Sequence, residues 1–93
     1  MMQAIFQHAE KEAPNEACGL VIGKEENKKY IPCKNLHKFE SGFKIDPLVF
    51  TTYQLASNIL YVVHSHYEED CKPSQHDINN CNKIGIPYLI VSY

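Results

Sequence analysis

The chain has 93 residues, 44% hydrophobic and 22% charged, with a formal net charge of −2. That length holds one thin core, read as a single domain over 1–93, and the near-neutral charge gives no electrostatic footprint for nucleic acid or an anionic membrane. No run is apolar enough to span a bilayer, and the acid-containing start does not read as a signal peptide, so a cytoplasmic protein is expected.

In chain order, residues 2–13 predict a helix with Ile5, Phe6, Ala9 and Ala13 on its apolar side; Pro14 and Asn15 end it. "ACGLVIG", 17–23, is a short apolar run that predicts a buried strand. "KEENKK" is a polar turn and "YIPCKN" a second strand, so 17–34 predicts a hairpin. Pro32 pushes that second strand towards a sheet edge. Lys24, Lys28 and Lys29 surround the turn and read as a solvated loop.

Residues 35–45 predict a loop closing with a short strand at "FKI". Asp46 and Pro47 then form a helix start, and Leu48, Leu55 and Ile59 space as one helical face. "ILYVVHSH" predicts a strand of β-branched and aromatic residues. After a polar loop, Ser74 opens a helix to about Ile84, which Gly85 and Pro87 stop. "YLIVSY" predicts a final buried strand. The order α, β, β, α, β, α, β implies an α/β domain with a mixed sheet flanked by helices.

Cys18, Cys33, Cys71 and Cys81 contain no C-x-x-C pair, and a cytoplasmic setting favours free thiols over disulfides. His8 and His37 read as surface residues, and His76 as exposed or on a rim.

His64 and His66 stand two apart on a predicted strand, so both imidazoles point to one side. At a strand end that geometry suits two ligands to one cation, with Asp77 at the start of the next helix as a third and a position left for water. The plainer alternative is a strand end followed by a capping box, Ser74-x-x-Asp77. Glu16, just before the glycine-containing strand, reads either as a loop acid or as a general base beside a metal site.

Taken together, Glu16, His64-x-His66 and Ser74-x-x-Asp77 resemble the signature of the JAMM/MPN zinc metalloproteases, and "PNEACGLVIG" is similar to that family's first motif. Within the family, the "CG" strand, "PC-N" strand, "HSH" strand and "PS--D" helix resemble the N-terminal domain of the K-type tail assembly proteins of lambdoid phages. A cell-wall-peptidase-like domain usually follows there, after the stretch to which these 93 residues correspond. The resemblance implies a minimal cytidine-deaminase-like JAMM/MPN fold. It implies zinc (Zn2+) held by His64, His66 and Asp77. Glu16 would be general base on a zinc-activated water, and Ser74 a hydroxyl donor to the oxyanion. The implied reaction is hydrolysis of a peptide or isopeptide bond. The implied partners are a protein or peptide substrate, either a ubiquitin-like β-grasp protein or a phage tail component.

The sequence departs from the family at Tyr67, where proline usually follows the second histidine. Tyr67 frees the backbone leaving the strand but removes no ligand. Tyr67 and the short chain favour the alternative reading, a non-catalytic phage-tail or scaffold module that retains the fold, with or without the metal. Oligomeric state is not readable, and a sheet edge is the expected surface for self-association.

Overall fold

A computed structural model of the chain describes residues 1–37, 43–66 and 75–92; the side chains of residues 76, 80 and 81 lie outside the description. The elements follow in the expected order: α1 (Met2–Glu12), β1 (Cys18–Lys24), β2 (Asn27–Cys33), α2 (Pro47–Ala56), β3 (Ile59–His66), α3 (Gln75–Ile84) and β4 (Tyr88–Ser92). The strands form one sheet in the order β2-β1-β3-β4. β1 runs antiparallel to β2 and to β3, and β3 runs parallel to β4, with α3 in the crossover between them. The sheet is therefore mixed, as expected. β2 lies at its edge, where Pro32 faces Gly19 and the missing proline N–H disrupts no inner ladder.

Alternation along the strands divides the sheet into two faces. On one, Ile5 of α1 packs with Val21, Tyr30, Val63 and Val91 to form the core, joined by Leu60, Tyr61 and Leu89. The helical turn aims Ile5 and Ala9 inward and leaves Phe6 43% exposed, contrary to the expectation that Phe6 shares the apolar side. Gly19 is required here by close approach. A Cβ on it would come within 2.5 Å of the Ile31 carbonyl and the Tyr30 ring, so glycine lets Tyr30 lie across β1. The Tyr30 hydroxyl donates to the Cys18 carbonyl at 3.4 Å and sits 2.7 Å from His8 Nδ1. His8 is thus half-buried in a polar contact rather than a surface residue. Burial lowers its pKa, against the opposing pull of Glu12.

The other face carries Cys18, Leu20, Val62, His64 and His66, with α2 and α3 on its side. Two expectations fail there. Residues 43–46 form no strand: Leu36 N–H donates to the Lys44 carbonyl and Lys44 N–H to Asn35 Oδ1, so this backbone closes a loop instead of joining a ladder. In α2 the Asp46 cap and Pro47 start hold, with Leu48 N–H donating to Asp46 Oδ1 at 2.9 Å. Its inward side is not the one predicted. Leu48 is 73% and Leu55 84% exposed, while Val49, Phe50 and Tyr53 are half-buried. Ser57 is extended, so the helix ends at Ala56 and Ile59 begins β3 rather than extending a helical face.

Gly85, at φ +75°, lies just past the end of α3 in the left-handed conformation that stops a helix. Among the described residues, no helix is long and apolar enough to cross a membrane.

Candidate metal centre

Four ionisable side chains meet at the end of β3, each nearly closed to solvent: Glu16, His64, His66 and Asp77. Burying such groups singly is costly, so their convergence requires mutual pairing. Local structure accounts for each placement. His64 and His66 are alternate residues of β3 and share a face, their ring centroids 4.9 Å apart. Asp77 sits in the first turn of α3, where a carboxylate also complements the helix dipole.

Glu16 lies between α1 and β1 and is held through its backbone. Its carbonyl accepts from Asn35 Nδ2 at 2.8 Å. The next amide, Ala17 N–H, donates to Ser65 Oγ at 2.8 Å, and Ser65 N–H returns a bond to the Ala17 carbonyl at 2.9 Å.

His64 is the centre of the cluster. Its Nδ1 lies 3.0 Å from Glu16 Oε1, a hydrogen bond that makes Nδ1 the protonated nitrogen. Its Nε2 lies 3.0 Å from Asp77 Oδ1, yet this buried atom makes no hydrogen bond. Asp77 Oδ2 meanwhile lies 3.5 Å from His66 Nε2. A lone pair facing a carboxylate oxygen in a dry site is repulsive unless a proton or a metal cation stands between them. Two imidazole nitrogens and a carboxylate oxygen converging in this way are a donor set that fits zinc. Among the described residues, the group whose ligand atoms all lie within 4.8 Å of one another is Glu16, His64 and His66, and Asp77 borders it through its contacts to both imidazoles.

The structure therefore brings together Glu16, His64, His66 and Asp77. Ser74, Tyr67 and Cys71 lie outside the described residues, as does the side chain of His76. Cys18 and Cys33 are free thiols. Cys18 faces His64 across the strands but is fully buried, which pushes its thiol up to about 12, with Cys33 adding to the rise. A thiol so held is neutral and a poor ligand.

Several supporting residues escaped the sequence reading. The Phe43 ring stacks on His64 at 4.4 Å and 20°, and Tyr88 meets the same imidazole edge-on at 5.8 Å. Asn35 and Ser65 strap the backbone around Glu16. The available signals were weak: one aromatic three residues before a helix cap, one asparagine after a strand, and the serine between two histidines. Phe43 and Tyr88 also line a groove of about 700 Å³ that runs beside α2 and α3, with Val62, Phe50 and Ile84 among its walls.

The model for prokaryotic homologs of the JAB domain matches residues 1–93. The chain belongs to this JAB family. Among its relatives is the tail tip assembly protein K of Escherichia phage N15, 32% identical over 93 residues, covering 99% of this chain and 38% of that protein. The CysO-cysteine peptidase of Mycobacterium tuberculosis is 26% identical over 100 residues, covering 99% and 68%. A probable TtuB-protein conjugate cleaving protease of Thermus thermophilus is 32% identical over 96 residues, covering 97% and 64%. This JAB chain thus spans well under half of the phage protein and about two thirds of the two peptidases. Two of the three relatives are named for cleaving bonds in proteins or their conjugates.

Proposed function

We propose that this JAB chain is a zinc-dependent peptidase or isopeptidase, with His64, His66 and Asp77 holding the metal and Glu16 and Ser74 acting in catalysis. The observation that carries the reading is the buried His64 Nε2, which faces Asp77 Oδ1 at 3.0 Å without a hydrogen bond. The peptidase names of the mycobacterial and Thermus relatives support a hydrolase.

When bound, zinc supplies Lewis acidity and a water of lowered pKa. The chain's own residues do the rest. Glu16 keeps His64 in the tautomer that presents Nε2 inward, since its Oε1 takes the Nδ1 proton's hydrogen bond. The same carboxylate accepts a proton from the attacking water and returns it to the departing amine. Low exposure around Glu16 excludes bulk water from that transfer. The Ser74 hydroxyl donates a hydrogen bond to the developing oxyanion, not as a nucleophile. The substrate class is a protein conjugate, in line with the TtuB-protein conjugate named for the Thermus relative, and the family resemblance implies a ubiquitin-like β-grasp protein as one of its parts.

A second reading is favoured by the phage relative: a tail or scaffold module that keeps the fold and the metal without cleaving anything.

The test is elemental analysis of the purified protein beside Glu16→Gln and His64→Ala, followed by cleavage assays on isopeptide-linked β-grasp conjugates. One zinc per chain, kept in Glu16→Gln and lost in His64→Ala, with cleavage only by the unaltered chain, is expected. Absence of zinc after loading with excess metal would sink the metalloenzyme reading. Zinc without cleavage of any conjugate would favour the scaffold module.

A further inference from the structure

The loop between β2 and α2 is tied to the candidate metal centre at two points. At its start, Asn35 is a three-way clasp. Nδ2 donates to the Glu16 carbonyl at 2.8 Å, and Oδ1 accepts from both His37 N–H and Lys44 N–H at 2.9 Å. Leu36 N–H closes the same loop onto the Lys44 carbonyl at 2.8 Å. The residue next to Lys44 is Phe43, whose ring lies nearly flat on His64 and edge-on to Tyr88. One asparagine therefore sets both the backbone that carries Glu16 and the aromatic plane that covers His64.

From this geometry we infer that Phe43 is a positioning residue for His64, and that Asn35 delivers it. An imidazole held by a single hydrogen bond at Nδ1 still pivots about that bond. A flat ring stacked at 4.4 Å removes the pivot, and Tyr88 blocks the swing on another side. Nε2 is thereby kept aimed at the Asp77 carboxylate. Hydrogen-bonded outer partners orient metal ligands, and losing one typically weakens metal binding by about 10- to 100-fold; a stacked ring that fixes the same imidazole is expected to act at the lower end of that range. The inference rests on the metal reading above for its consequence, but the fixing of the imidazole is a property of the chain itself.

The experiment compares Phe43→Leu, Phe43→Tyr and Asn35→Asp with the unaltered chain, in two readouts. The first is cobalt(II) titration followed by the visible ligand-field bands. The second is the NMR signature of the His64 ring in the metal-free protein, where stacking on Phe43 shifts the ring protons upfield. Leucine keeps apolar bulk and removes the flat face; tyrosine keeps the face. Asn35→Asp keeps the oxygen that holds Lys44 and loses the donor to Glu16.

The expected result is that Phe43→Leu loses the upfield shift and binds cobalt about tenfold more weakly, with altered bands, while thermal unfolding of the metal-free form is little changed. Phe43→Tyr restores both readouts. Asn35→Asp keeps the His64 shift, because its loop-closing oxygen remains. If Phe43→Leu leaves both the His64 ring signals and the cobalt spectrum as in the unaltered chain, the positioning role is overturned. Failure of the unaltered chain to bind cobalt would instead sink the metal reading, and the ring signals alone would then decide whether Phe43 fixes His64.

Discussion

The two faces of this sheet are built on opposite rules. Under α1 the face is apolar, and a polar chain there, His8 to Tyr30 to the Cys18 carbonyl, ends on backbone. On the other face Glu16, His64, His66 and Asp77 are as deeply buried, yet one nitrogen among them is left without a hydrogen bond. Both faces come from the same strands, residue by residue: Val63 and Ser65 alternate with Val62, His64 and His66. The difference teaches where stability and chemistry reside. One face gains free energy by excluding water; the other holds ionisable groups whose burial is offset by pairing with one another and, on the proposed reading, by a bound metal. Changes on the first face should therefore melt the protein without altering its metal, and changes on the second should strip metal first.

The largest expected effect is His64→Ala, which should take zinc from about one per chain to none by elemental analysis. Retention of full zinc would erase the proposed difference between the faces. Next, Ile5→Ala removes a side chain 1% exposed in the core and should cost about 3 kcal/mol in chemical denaturation, with zinc content unchanged. Gly19→Ala should cost about 2 kcal/mol, because its Cβ meets backbone at Ile31 as well as the Tyr30 ring.

A pH titration sharpens the comparison further. Burial lowers the folded pKa of His8 below the ordinary value near 6.5, so the unfolded chain takes up the proton first. Stability from this group is complete above that value and is lost as pH falls below it; His8→Gln should flatten the acid limb of melting temperature against pH. Cys18 has the opposite sense. Its folded pKa of about 12 exceeds the unfolded one, so its contribution is complete below pH 9 and falls away above it. The smallest effect expected is Leu55→Gln, within about 0.5 kcal/mol, since that side chain is 84% exposed.

Much of the fold was legible beforehand, and the reasons are local. Asp46-Pro47 announces a helix start, Gly85 a helix stop, Pro32 an edge strand, and β-branched runs the inner strands. The helical spacing of Leu48 and Leu55 misled, because period gives a helix its faces but not the direction from which it is covered. Phe6 misled for the same reason. The strand expected at "FKI" gave way to a loop whose bonds depend on Asn35, a residue nine positions from Lys44.

By itself, the sequence determined the element order, the shared face of His64 and His66, and the kinship of the whole chain with the JAB family. These follow from period, caps and motif spacing, all of which are short-range properties. Only the tertiary structure decided which atoms oppose one another. Glu16 and His64 stand 48 positions apart in the chain, and their 3.0 Å contact exists because β1 and β3 pair in one register. The stack of Phe43 on His64 depends likewise on where a loop closes. Register and loop closure are set by the sum of many weak contacts across the whole fold, and no local pattern encodes that sum.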